Sequence, residues 1–262
     1  MKIAVNGIDV NYTLEGPDQG PVVTMSHSLA TNLGMWEPQA AALRDRYRVL
    51  RYDTRGHGQT DAPGGAYTLD QLADDVRGLL DALGIGRTHY VGLSMGGMIG
   101  QNLALRHGDV VDRLMLCDTA SAMPAGAADL WNERIAAVEA GGMEAVVAGT
   151  IERWFTPAFI AANDDRVEPV REMIRTTPVA GYAGCSHALK TLDLTAKLGG
   201  ITALTLAIVG EDDPGTPVAA HEVIRDNIPG AKLVVLPSAM HLSNIEQAEK
   251  FNAALMGFLD GS

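Results

Sequence analysis

Gly92-Leu93-Ser94-Met95-Gly96 is a G-x-S-x-G pentapeptide set between an apolar β-type run, HYVGL, and a helical stretch, MGGMIGQNLALRH. A strand that bends sharply into a helix needs glycines around the bend, and it lifts the residue at the apex above the sheet edge, at a helix N-terminus. Ser94 in that position can serve as a nucleophile for acyl transfer. A serine hydroxyl needs a base to take its proton, and the base needs an acid to orient it. Around strand–turn–helix serines the order along the chain is serine, acid, histidine.

Seven histidines compete for the base. His241 follows the strand-like KLVVLP and precedes the last helical pattern, on a loop at the carboxyl edge of the sheet, where the base must sit. His221 lies within an amphipathic helix, His107 near the end of the helix after Ser94 and His89 at a strand start, so all three read as surface or packing residues. His57 belongs to the turn Asp53-Thr54-Arg55-Gly56-His57-Gly58, which reads as structural. For the acid, the strand LTLAIVG opens into Gly210-Glu211-Asp212-Asp213-Pro214. Spacing alone leaves three carboxylates open. Asp213 lies deepest in the turn before the next helix and can point back toward the His241 loop, whereas Glu211 and Asp212 are better placed for solvent.

Negative charge on the carbonyl oxygen of a tetrahedral intermediate calls for preorganised N–H donors. Met95, the residue after the nucleophile, supplies one at a helix N-terminus. The loop His27-Ser28-Leu29-Ala30 after the strand at 22–25 supplies the second, assigned to Leu29, with His27 shaping that loop.

The elements that must position these groups are a run of strand–helix alternations. Residues 8–14, 22–25, 47–52, 89–93 and 113–117 read as strands, with a helix between the third and fourth that opens on a Thr68/Gln71 capping box and ends at Gly84. The first two strands are expected to form an antiparallel start. From 121 to 198 the pattern is helical throughout, with pieces at 127–140, 143–155, 166–175 and 182–190. Alternation resumes with a strand at 201–209, a helix at 217–228 with proline in its first turn, a strand at 232–236 and a last helix from Ser243, where Ser243 and Glu246 read as a second capping box. This implies a mostly parallel, doubly wound sheet, residues 1–120 and 199–262, with a helical cap, 121–198, inserted over the carboxyl edge where such sheets bind ligands.

A net charge of −12 disfavours nucleic acid and anionic membranes as partners. Cys117 and Cys185 fit neither a disulfide framework nor a metal site. The N-terminus lacks the apolar core of a signal peptide and no long apolar run follows, so a cytoplasmic protein with a small-molecule substrate is expected. Gly261-Ser262 carry no part of the reading.

With these residues in view, the sequence resembles the 3-oxoadipate enol-lactonases, a family of the α/β-hydrolase fold. The resemblance runs nearly end to end, through SLATNLGMW at 28–36, LRYDTRGHG at 50–58, GLSMGGM at 92–98, RWFTP at 153–157, GYAGC at 181–185 and HLSNIEQ at 241–247. DTRGHG and GLSMGG are shared with many esterases and C–C hydrolases, whereas RWFT, GYAGC and HLSNIEQ are more specific. Ala30, His187, Lys190 and Met240 depart from the usual family residues. The resemblance implies an eight-stranded sheet and opening of a five-membered enol-lactone bearing a carboxylate, giving 3-oxoadipate, with no metal or organic cofactor. A carboxylesterase, a lactonase or C–C bond hydrolase for another small substrate, and a ligand receptor that keeps a triad but barely turns over, remain as alternatives that turnover assays separate. A partly desolvated substrate carboxylate needs a cation. The cap offers Arg153 beside Trp154, which would pack on the ring, and Lys190 with His187.

Overall fold

The computed structural model describes residues 1–261, the side chain of Asp164 excepted. Eight strands, β1 (Lys2–Val5), β2 (Ile8–Glu15), β3 (Val22–Ser26), β4 (Arg48–Tyr52), β5 (Thr88–Leu93), β6 (Val111–Cys117), β7 (Leu204–Gly210) and β8 (Lys232–Leu236), form one sheet in the order β1-β2-β4-β3-β5-β6-β7-β8. Only β2 runs antiparallel, to β1 on one side and β4 on the other. The expected antiparallel start is therefore built differently. β3 is parallel between β4 and β5, and the partner of β2 is the four-residue strand β1, which sequence periodicity missed. Asn6 and Gly7, with φ of 47° and 78°, make the two-residue turn that sets Val5 opposite Ile8.

Every residue of β3 and β5 is buried, as continuous apolar runs in a parallel sheet covered on both faces must be. The covering helices outside the cap include α1 (Glu37–Leu43), α2 (Leu69–Ala82) and α3 (Met95–Arg106). α2 opens where the Thr68 side chain accepts from the Gln71 amide, and its apolar stripe meets β1 and α3. α3 packs on β3, β5 and β6, directly under the turn that carries Ser94. α1, preceded by a 3-10 turn at Leu33–Trp36, was not foreseen; Asn32 caps that turn and Pro38 sits in the first turn of the helix.

Between β6 and β7 the chain makes a helical excursion, here called the cap, as α4 (Ala127–Gly141), α5 (Glu144–Trp154), α6 (Pro157–Ala162), α7 (Asp164–Thr176) and α8 (Val179–Lys190). Its neck is stapled. Ala122 bridges Asp193, the Leu194 amide donates to the Ser121 carbonyl at 2.7 Å, and the Met123 amide donates to Leu192 at 3.1 Å. α8 rests on the turn after β4 at backbone contact. A Cβ on Gly181 would lie 1.8 Å from the Gly56 carbonyl oxygen, and Gly56 itself has φ of 82°. The glycine of GYAGC thus lets the cap touch the DTRGHG turn, and no larger residue fits.

α9 (Val218–Asn227), with Pro217 as its N-cap rather than inside its first turn, packs on β7 and β8. The last helix departs from expectation. A four-residue turn, α10 (Ser243–Glu246), precedes α11 (Ala248–Asp260), and neither Ser243 nor Glu246 caps it, because both side chains are drawn into tertiary contacts. Ser262 lies outside the described residues. Among the described residues no helix is long and apolar enough to cross a membrane.

Candidate active site

At the end of β5 the chain turns through Ser94 with φ of 55° and ψ of −115°, a conformation that costs about 1–3 kcal/mol and persists because its surroundings fix it. The Ser94 amide donates to the Cys117 carbonyl at 2.9 Å, and the Ser94 carbonyl accepts from the Thr119 hydroxyl at 2.8 Å. A Cβ at Gly92 would meet the Gly96 carbonyl oxygen at 2.2 Å, and one at Gly96 the Ser26 carbonyl oxygen at 2.1 Å. Both glycines of the pentapeptide are required sterically. The Ser94 side chain faces a cavity, and its hydroxyl makes no hydrogen bond to another described residue.

His241 lies on the loop after β8 and lines the same cavity. Its Nδ1 lies 2.8 Å from Asp213 Oδ2 on the turn after β7. The Thr216 hydroxyl donates to that oxygen at 2.6 Å, and the Gly215 and Thr216 amides donate to Oδ1 at 2.8 and 3.1 Å. Burial alone would raise the Asp213 pKa, but the adjacent imidazole and these donors outweigh it and hold the carboxyl well below the ordinary range. Burial pulls the His241 pKa down, yet the charge and hydrogen bond of Asp213 prevail and raise it. Asp212 is exposed, as is Glu211.

The loop at 27–31 is shaped by two buried histidines. His27 Nε2 accepts from the Thr54 amide at 2.9 Å, and His57 Nε2 accepts from the Ala30 amide at 3.0 Å. Burial lowers their pKa values to about 4 and about 3, so both are neutral and both can accept. Ala30 has φ of 61°. Of the loop's amides, Ser28 donates to the Met35 sulfur, Ala30 to His57 and Thr31 to Ser28. The Leu29 amide has no acceptor among the described residues. Met95, the other expected donor, is the first residue of α3 and so has no carbonyl one turn back within the helix.

The cavity holds about 360 Å³ between the sheet edge and the cap. Trp154 reaches into it and stacks on His241, with ring centroids 6.0 Å apart at 29°. Arg153 lines it as expected. Lys190 and His187 do not: Lys190 Nζ donates to Asn132 at the protein surface at 2.9 Å. The helix aims Tyr182 and Leu189, about two turns apart, at the cavity, and at about 100° per residue His187 and Lys190 lie off that face. The second cation is Arg134 on α4, which sequence reading missed; its guanidinium lies 5.0 Å from the Trp131 ring centroid. Neither Arg134 nor Arg153 has a carboxylate within ion-pair distance among the described residues. Burial, then the charge of Arg134, lowers the Arg153 pKa.

Two further buried groups, His221 and Asp118, support the site. His221 is a packing residue, accepting from the Thr119 amide at 2.9 Å, and Thr119 in turn holds the Ser94 carbonyl. His107 and His89 pair with Asp74 and Asp112 away from the cavity. Asp118, also missed, is fully buried at the end of β6 with φ of 43°. It accepts from the Gly210 amide at 2.8 Å and the Ser243 hydroxyl at 2.6 Å. Burial and the nearby Asp213 push its pKa well up. No periodic or motif signal marks Asp118 or Arg134. Their roles come from what other elements bring against them.

Residues 21–248 match the family described as the α/β hydrolase fold. A 3-oxoadipate enol-lactonase of Acinetobacter baylyi is 39% identical over 97% of this chain and 94% of its own length. The crystal structure of the enol-lactonase from Burkholderia xenovorans LB400 superposes with a TM-score of 0.96 at 38% identity, covering 99% of this chain and 100% of that one. A hydrolase from Pseudomonas aeruginosa superposes at 0.95 with 41% identity, over 99% and 97% of the two chains. By identity sustained along nearly its whole length, the chain belongs to the α/β hydrolases and, within them, to the 3-oxoadipate enol-lactonases.

Proposed function

We propose that this enzyme opens 3-oxoadipate enol-lactone to 3-oxoadipate, with Ser94 as nucleophile, His241 as general base and Asp213 as the acid that orients it. Ser94 Oγ attacks the lactone carbonyl as His241 Nε2 takes its proton. The oxyanion is met by the Leu29 and Met95 amides. Collapse breaks the ring C–O bond. The enol oxygen leaves while still tethered through the acyl chain, takes up the proton from His241, and tautomerises to the ketone. Water, deprotonated by His241, then attacks the acyl carbonyl, and Ser94 departs with the proton. The serine–histidine hydrogen bond tightens in the enzyme–substrate complex, as acid–base contacts commonly do. The helical segment 121–198 acts as the cap that selects substrate over the core formed by 1–120 and 199–262. We place the enzyme in the cytoplasm, in keeping with two free, buried cysteines, Cys117 and Cys185.

The observation that carries the substrate assignment is the pair of arginines. In a chain of net charge −12, two guanidinium groups without ion-pair partners among the described residues line one small cavity beside Ser94. A lactone that carries a carboxylate supplies the missing anion, and Trp154 offers its flat wall to the ring. Spectroscopic loss of the enol-lactone on adding enzyme tests the reaction directly. Charge-assisted bonds of about 1.5–3 kcal/mol imply that Arg134→Met and Arg153→Met each raise KM for the enol-lactone about tenfold or more. A neutral ester should be hydrolysed as before, and Lys190→Met should change neither substrate. Equal losses for charged and neutral substrates would remove the carboxylate pocket.

A further inference from the structure

The segment His241-Leu242-Ser243-Asn244-Ile245-Glu246 carries two polar side chains that look like a helix cap and are not one. Ser243 turns to Asp118, and Glu246, only 8% exposed, turns to the cap. One oxygen of the Glu246 carboxylate accepts from both the amide and the hydroxyl of Thr156, at 3.0 and 2.5 Å. The other accepts from the Met240 amide at 2.8 Å. Met240 is the residue before the base, and Thr156 lies two residues beyond Trp154 at the end of α5. The Leu242 amide adds a second tie, donating to the Trp154 carbonyl at 3.1 Å, and Arg166 on α7 donates to the Ile245 carbonyl. A buried carboxylate suits this place because it accepts from three donors without presenting a hydrogen of its own.

We propose that Glu246 is a positioning residue that locks the cap to the histidine loop, gripping Thr156 with one carboxylate oxygen and the Met240 amide with the other, and so fixes Trp154 against the imidazole of His241. The stack matters because the indole covers one face of the base, keeps water off that face and limits its rotation, leaving Nε2 open to the reacting groups. Cap position and base alignment thereby become one variable. The inference rests on His241 being the base, as read above.

Glu246→Gln keeps the shape but points an NH2 at one of the two gripped amides. A base displaced by about an ångström costs on the order of a hundredfold, so kcat should fall about ten- to a hundredfold, and KM for the enol-lactone should rise by a smaller factor, because Arg134 and Arg153 keep their charges but ride on the loosened helices. A second readout reports the stack itself. Protonated imidazole quenches an adjacent indole, so Trp154 fluorescence should rise with pH as His241 loses its proton, and Trp154→Phe should remove that step. Asp213, Asp118, His221 and Arg153 also act on His241 and are unchanged in the variant. In folded Glu246→Gln the step should shrink. Thr156→Val, which deletes one donor to Glu246 together with the α6 cap that accepts from the Phe159 amide, and leaves both gripped amides, should shift both readouts the same way by less, and it serves if the Gln protein does not fold. An unchanged kcat, or a lower kcat with the fluorescence step intact, overturns the proposal. Failure of the triad itself is seen separately, as activity retained in Ser94→Ala.

Discussion

Replacing Ser94 with alanine is expected to lower kcat by about ten-thousand-fold or more while leaving the far-UV spectrum and the melting transition in place. The side chain makes no hydrogen bond within the described fold, so its loss leaves no buried partner unsatisfied. The backbone strain at φ of 55° is the same for alanine as for serine. His241→Ala should cost a comparable factor. The double variant should lose little beyond either single one, because nucleophile and base act in one step and neither helps without the other. Residual hydrolysis would come from the Leu29 and Met95 amides and from substrate binding. If Ser94→Ala kept more than about a tenth of the wild-type turnover, the bond-making atom would lie elsewhere and the acyl-enzyme would have to be abandoned.

What made Ser94 readable from sequence is that its geometry is local. A strand, two glycines and a helix within a few residues determine where the hydroxyl goes, and the steric contacts of Gly92 and Gly96 are the physical content of the motif. His241 and Asp213 were readable because loops at the carboxyl edge of a parallel sheet converge there whatever their detailed path. The charged lining of the cavity was only half legible. Arg153 could be found beside Trp154, but Arg134 and Lys190 are equally plausible cations on a helix, and only the packing of α4 against α8 turns one inward and the other out to Asn132. The Ser243/Glu246 pair failed for a related reason. Its spacing satisfies the capping rule, yet fully buried Asp118 takes the Ser243 hydroxyl, and the half-buried Thr156 and Met240 donors take the Glu246 carboxylate, so neither side chain is left for the helix end. α6 is six residues long, too short for periodicity to register, although Thr156-Pro157 marks its start.

Asp213→Asn should reduce kcat/KM by about ten-thousand-fold, whereas Asp212→Asn should leave it within a fewfold of wild type. The two side chains are neighbours in sequence and opposite in circumstance: Asp213 is 3% exposed and bonded to the imidazole, and Asp212 points into solvent. Asparagine at 213 keeps the volume but can offer its NH2 to Nδ1, which moves the ring proton to Nε2, the nitrogen that must be free to accept from Ser94. The pH profile separates this explanation from mere loss of structure. In the wild type, His241 works only when neutral, so kcat/KM should rise with pH through an ionisation above the ordinary histidine value of about 6.5, because Asp213 raises that pKa. Asp118, Arg153 and His221 also act on the ring, but Asp118 has its pKa pushed well up by burial and His221 is held neutral with a pKa of about 4, so Asp213 is the dominant charge. Removing that charge leaves burial as the main influence, which lowers the pKa. The acid limb of Asp213→Asn should therefore move to lower pH even as the plateau collapses. A collapsed plateau with an unmoved acid limb would mean that Asp213 holds the fold of the turn rather than the charge of the base, and equal losses at 212 and 213 would return the choice of acid to all three carboxylates of the turn.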